Sequence, residues 1–273
     1  REDWANLSWK AESALMTGGG IGVDYSVYRA SGTPISRTGG QASGPIPKME
    51  MINSIGSKVM QGGSRRSAIY ASLNWQHGDI HDFLKAKDWA SMPVGSTGKT
   101  LWDIKQEDFN FPAPLDMTNI SVNYDTEWLL NYYKTGDVGE VFMQNVRQAM
   151  QSAEPGFSFN FFDKENETLR NACTEVTSED DSDVCNLGSV NMGRISDIAE
   201  MADVVALGTK FLICGTLKAK LPYNKVYETR EKNRRLGLGL MGMHEWLIQR
   251  GSNYTVTPEL HSWLSVYKGV SDK

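Results

Sequence analysis

The chain has 273 residues, 40% hydrophobic and 22% charged, with a net charge of -5. That length suffices for one large domain or two small ones with a sizeable core, and the acidic balance argues against broad, sequence-independent nucleic-acid binding. No run approaches the ~18 apolar residues of a membrane helix, no leader peptide is visible, and three cysteines are too few for a disulfide scaffold, which points to a reducing, cytoplasmic setting.

Trp4, Leu7, Ala11 and Leu15 recur at helical spacing, and Gly18, Gly19 and Gly20 end that helix. Residues 21–28 alternate like a strand, and Pro34 with Gly39 and Gly40 marks a loop. Met49, Ile52, Ile55 and Val59 predict a second amphipathic helix, ended by Gly62 and Gly63. Residues 67–75 read as a strand, 79–87 as a short helix and 93–114 as a long polar connection. A strand over 120–124, a helix over 137–153 and a strand over 157–161 follow. Helices are predicted over 195–218 and 232–250. Strands alternating with helices predict an α/β fold with largely parallel strands. No domain boundary stands out, so 1–273 reads as a single domain. The chain starts at Arg1 with helical patterning at once and stops at Lys273 without a closing element, which reads as an internal piece of a longer protein.

The chemistry concentrates around Cys173 and Cys185, twelve residues apart across an acidic stretch. Cys173 sits in Asn171-Ala172-Cys173-Thr174-Glu175. On an extended segment, side chains two apart point the same way, so an amide, a thiol and a carboxylate would face one ligand. A thiol can serve as nucleophile, redox centre or hydrogen-atom donor, and a carboxylate beside it can take a proton. The glycines at 18–20 and 22 allow a backbone to approach a phosphate or ribose closely, although such a run more often marks a plain turn. Gln61, Gly62, Gly63, Ser64, Arg65 and Arg66 form a flexible loop with two cations.

Other patterns carry less. Residues 95–100 (GSTGKT) look like the end of a P-loop, but Pro93 stands where its first glycine belongs. His77 and His81 have helical ligand spacing, yet a closed metal site needs more ligands, so no metal is expected. His244 and His261 read as structural, and Cys214, in an apolar helical stretch, as a buried inert thiol.

Three ordered blocks resemble the catalytic subunit of ribonucleotide reductases. NACTEVTSEDDSDVCNLGSVNM (171–192) resembles the active-site finger loop, GGGIGVDYSVYRASGTPISRTGGQASGPIPKMEMINSIGSKVMQGGSRRSA (18–68) the glycine-rich and specificity-loop region, and NRRLGLGLMGMHEWLIQRG (233–251) a later helix of the family barrel. The resemblance implies a ten-stranded α/β barrel with the cysteine-bearing finger loop at its centre. It implies radical reduction of the ribose 2′-hydroxyl, the activity of a ribonucleoside-diphosphate reductase. Cys173 would carry the thiyl radical, Glu175 would take the 3′-hydroxyl proton, and Asn171 would hold the ribose hydroxyls. Cys185, with a cysteine outside this chain, would supply the reducing equivalents. Gly20, Ala172 and Thr174 join these residues in binding substrate. Residues 61–66 become the specificity loop, with Arg65 reaching the substrate. Arg29 would hold effector phosphates, and a second such position falls at Ser36 or Arg37.

The glycine block and the short Cys173–Cys185 spacing look most like the class that uses adenosylcobalamin. The alternative is the class whose radical comes from a separate metal-bearing subunit. Implied partners are a ribonucleotide substrate, deoxynucleotide or ATP effectors, thioredoxin or glutaredoxin as reductant, and a second copy in a homodimer; no membrane is implied. A rival reading is a non-catalytic nucleotide-binding regulatory domain, which gives Cys173 no role.

Overall fold

The computed structural model describes residues 2–36, 39–59 and 66–273. The chain clusters into two compact units, residues 1–181 and 182–273.

The first unit runs α1 (Glu2–Met16), β1 (Ile21–Asp24), β2 (Pro34–Ile35), β3 (Gly40–Gln41), α2 (Ile46–Lys58), β4 (Ile69–Asn74), α3 (Ile80–Lys85), α4 (Leu101–Glu107), β5 (Thr118–Tyr124), α5 (Thr126–Thr135), α6 (Glu140–Ser152), β6 (Gly156–Phe159), β7 (Leu169–Arg170) and β8 (Thr177–Ser178). Strands β1, β4, β5 and β6 form one parallel sheet in that order. The pairs β2–β3 and β7–β8 are short antiparallel hairpins.

The helical spacing read in α1 and α2 places Ala11, Leu15 and Ile52 in one buried cluster with Ile69 of β4. The larger core lies on one face of the sheet. There Ala71 and Leu73 of β4, with Ile120, Val122 and Tyr124 of β5, pack against Phe83, Leu84 and Trp128. Local signals set the helix ends. Asp125 accepts the Trp128 amide at the start of α5, and Gly136 ends it in a left-handed conformation.

Three sequence expectations change here. Strand β1 stops at Asp24 rather than 28, because residues 25–33 turn back under the hydrogen bonds described below. The connection 93–114 contains α4, whose start is fixed by a capping box between Thr100 and Asp103. Helix α5 was not expected at all.

The second unit runs β9 (Cys185–Asn191), α7 (Ile198–Lys218), α8 (Asn224–Asn233), β10 (Arg235–Met241), α9 (Met243–Gln249) and α10 (Pro258–Ser271). Strands β9 and β10 pair in parallel from Cys185↔Arg235 to Asn191↔Met241. Val190, Met192, Met201, Val205, Trp246, Leu260 and Trp263 form the core of this unit. Asp197 caps α7 through the amides of Ala199 and Glu200.

The helix expected over 232–250 is instead the end of α8, a strand and a short helix. Leucines 236, 238 and 240 alternate with glycines 237 and 239, a two-residue period. A Cβ on Gly237 would lie 2.6 Å from the Leu187 side chain, so glycine lets the two strands meet. Cys214 on α7 is exposed rather than buried. It lies on an uncovered apolar stretch with Leu207 and Phe211, which are 70% and 75% exposed.

Among the described residues the strands do not close into a ten-stranded barrel. Among them also, no helix is long and apolar enough to cross a membrane.

Candidate active site

A parallel sheet covered on both faces is usually apolar throughout. The four-stranded sheet of the first unit departs from this. Its second face carries Asp24, Tyr70, Ser72, Asn74, Ser121, Asn123 and Ser158 in register across the strands. Tyr70, Ser72, Asn123 and Ser158 are all at most 3% exposed. Their polar atoms pair with one another: Tyr70 Oη with Ser158 Oγ at 2.7 Å, and Asn123 Nδ2 donating to Ser72 Oγ at 3.0 Å. Burial pushes the Tyr70 phenol up, opposed by its hydrogen bond to Ser158 and more weakly by the nearby Arg170 charge.

The β7–β8 hairpin sits against this sheet. A Cβ on Gly22 of β1 would lie 1.6 Å from the Arg170 carbonyl oxygen, so the strand and the hairpin touch only because residue 22 has no side chain. Asn119 Nδ2 donates to the Ala172 carbonyl at 3.2 Å. Ala172 is buried at 6% exposure. A Cβ on Gly20 would lie 3.2 Å from the Ala172 Cβ. Gly20 and Ala172, both expected to bind substrate, are therefore neighbours.

Beyond Arg170 the chain turns. The Thr174 amide donates to the Asn171 carbonyl at 3.1 Å, and Thr174 takes φ +71°. The extended geometry expected for 171–175 is thus replaced by a tight turn, and alternation no longer brings the side chains together. A hydrogen bond does this for two of them: Asn171 Nδ2 donates to Glu175 Oε1 at 2.6 Å. The Val176 amide donates to Asn171 Oδ1 at 3.2 Å, so both ends of the Asn171 amide are engaged. Cys173 and Glu175 are exposed. The turn therefore presents a thiol, flanked in sequence by an amide and a carboxylate bonded to each other.

Cys185 belongs to the second unit, as the first residue of β9, and is half-buried. Beside it, Asn186 Nδ2 donates to Thr216 Oγ1 at 2.8 Å. The Asp183 carboxylate accepts from Arg235 Nε at 2.6 Å and from Asn233 Nδ2 at 2.8 Å. These bonds tie the approach to Cys185 to the start of β10.

Arg29 is exposed on the loop after β1. That loop is held by the Ser31 amide donating to the Asp79 carboxylate at 2.9 Å, and by His77 Nε2 against the Tyr28 carbonyl at 2.8 Å. Sequence reading missed the Asp79 anchor; its one signal was an acidic residue at a helix start. Arg66 stacks over Phe109, its guanidinium carbon 4.6 Å from the ring centre, and hydrogen bonds Asn110. Arg37, Gln61, Gly62, Gly63, Ser64 and Arg65 lie outside the described residues.

The weaker patterns resolve as ordinary structure. His77 serves the Tyr28 loop, His81 Nδ1 bonds Gln144 at 2.7 Å, and Lys99 pairs with Glu107 at 2.6 Å. Among the described residues no three His, Cys, Asp or Glu side chains converge as a metal-binding group.

Comparison with known proteins decides the family. Residues 7–92 and 116–261 match the family described as ribonucleotide reductase, barrel domain. The chain belongs to that family. A vitamin B12-dependent ribonucleoside-diphosphate reductase of Mycobacterium tuberculosis (strain CDC 1551 / Oshkosh) is 28% identical over 268 residues, covering 92% of this chain and 37% of the relative. One of the same description from Thermoplasma acidophilum is 26% identical, covering 94% and 34%. A ribonucleoside-diphosphate reductase subunit alpha of Synechocystis is 25% identical, covering 87% and 36%. The chain thus spans about a third of the length of these relatives.

Proposed function

We propose that this chain carries the reaction centre of an enzyme that reduces ribonucleotides to deoxyribonucleotides by radical chemistry. The observation that carries the reading is the hydrogen-bonded Asn171–Glu175 pair on the turn that exposes Cys173. The non-catalytic nucleotide-binding alternative leaves that arrangement without a use.

In this reading a thiyl radical on Cys173 takes the hydrogen atom from C3′ of the ribose. The Glu175 carboxylate accepts the 3′-hydroxyl proton as a general base, while Asn171 orients the hydroxyls and Glu175 together. The 2′-hydroxyl leaves as water. Cys185 and a second cysteine from outside this chain supply two electrons and two protons and become a disulfide. Glu175 returns the proton to the 3′-oxygen and Cys173 returns hydrogen to C3′, which restores the carboxylate and the thiyl radical. Thiol exchange with a reductant of the thioredoxin or glutaredoxin type restores the pair. Gly20 and residues 171–175 line the substrate. Arg65, in the specificity loop 61–66, reaches it, and Arg29 and Arg37 hold effector phosphates. The fold proposed for the full-length enzyme is the ten-stranded barrel with this turn at its centre, working as a homodimer in the cytoplasm.

Adenosylcobalamin is the proposed radical source, supported by the sequence resemblance and by the B12-dependent relatives; a separate metal-bearing subunit is the alternative. The full-length enzyme should form deoxynucleotide from ribonucleoside di- or triphosphates only when adenosylcobalamin is added, with no partner subunit. The 273-residue chain alone should form none. Turnover with a partner subunit and no cobalamin would overturn the cofactor assignment. Absence of deoxynucleotide under both conditions would overturn the function.

A further inference from the structure

We infer that Arg170 is a positioning residue that locks the Asn171–Glu175 turn to the polar face of the sheet; its consequence for catalysis rests on the function proposed above. Arg170 immediately precedes Asn171, and its guanidinium spans two acceptors. One terminal nitrogen donates to Asn160 Oδ1 at 2.7 Å and the other to the Thr174 carbonyl at 3.3 Å. Its buried Nε has no partner, so these two arms make the side chain's hydrogen bonds.

Each acceptor is informative. Asn160 is 3% exposed. Its own amide donates to the Tyr124 carbonyl of β5 at 2.9 Å, and its Nδ2 to the Glu167 carbonyl at 2.6 Å. It is therefore a fixed point on the sheet. Thr174 holds a left-handed backbone, which a β-branched residue adopts only when its surroundings impose it. The Arg170 arm acts at that residue. A rigid planar fork can bridge two acceptors in this way, whereas a lysine ammonium acts as a point charge on a flexible stem.

Hydrogen-atom transfer requires sulfur and C3′ to be held in near contact, and a misplacement of about 1 Å can cost roughly 10²-fold in rate. Arg170 touches neither substrate nor thiol in this reading. It acts through the turn, so its loss should appear in kcat rather than KM.

The test uses Arg170→Ala and Arg170→Lys in the full-length enzyme, with amide hydrogen exchange and steady-state kinetics. In Arg170→Ala the Thr174 and Val176 amides should exchange at least about ten-fold faster, while those of Ile120 and Val122 in β5 keep their protection. The same variant should lose roughly 10²-fold in kcat with KM within about three-fold. Arg170→Lys should fall between wild type and alanine on both readouts. Unchanged exchange at Thr174 and Val176 would overturn the proposal, whatever the activity. So would a kcat within two-fold of wild type, or a lysine variant no better than alanine. If the wild-type enzyme reduces no ribonucleotide, the function falls, and the exchange measurement still decides whether Arg170 positions the turn.

Discussion

Cys173→Ser in the full-length enzyme is expected to abolish deoxynucleotide formation, a fall of roughly 10⁴-fold or more in kcat, as when a covalent catalytic group is removed. The reason is bond strength. A serine O–H is stronger than a cysteine S–H, so the radical cannot be held where Cys173 holds it. Asn171, Glu175 and the turn hydrogen bonds do not involve the Cys173 side chain, so folding and substrate binding should survive. Cys185→Ser should behave differently. In the proposed mechanism Cys185 acts after C3′–H cleavage, as a source of electrons. That variant should start the reaction, stall, and release free base from decomposed substrate. Product analysis by chromatography separates the two outcomes. Equal amounts of intact substrate from both variants would show that the two cysteines are not divided in this way.

The second large effect is structural. Gly22→Ala should destabilise the chain by about 3 kcal/mol, the upper end of ordinary overpacking, because the new methyl would sit 1.6 Å from the Arg170 carbonyl oxygen and 2.7 Å from its carbonyl carbon. Both contacts are backbone and cannot rotate away. Thermal unfolding should show a Tm lower by roughly 6–12 °C for a protein of this size. A smaller loss of stability with the hairpin displaced is the other way the strain can relax. In that case exchange protection should fall at Leu169 and Arg170. A Gly22→Ala chain with wild-type Tm and wild-type hairpin protection would contradict the packing of β7 on β1.

The residues show why some of this was legible in the sequence. Helices α1 and α2 bury one face against an apolar strand, so their spacing reports them directly. The β10 segment was misread because Leu240, Met243, Trp246 and Leu247 continue at helical spacing beyond the strand, masking the Leu-Gly alternation before them. The polar face was written in β4 and β5 as Tyr70, Ser72, Asn74, Ser121 and Asn123 between apolar residues. Such alternation ordinarily means a solvated face, and only the burial of Tyr70, Ser72, Ser121 and Asn123 distinguishes it. The cluster at 171–175 was visible as residue types, but its geometry was not. A hydrogen bond between Asn171 and Glu175 joins what an extended strand was expected to align. Arg170 left no sequence signal, since a cation beside a motif looks like any solvated charge. Its partner Asn160 lies ten residues earlier, and the connection from β6 to β7 turns back to bring the two together.

Isotope release from the 3′ carbon tests the role of Cys173 most directly. With substrate carrying tritium at C3′, the Cys185→Ser enzyme should release tritium to water while forming little deoxynucleotide. The Cys173→Ser enzyme and the Cys173→Ser/Cys185→Ser double variant should release none above background. Tritium release by either variant lacking Cys173 would contradict the assignment of that thiol as the group that takes the hydrogen atom.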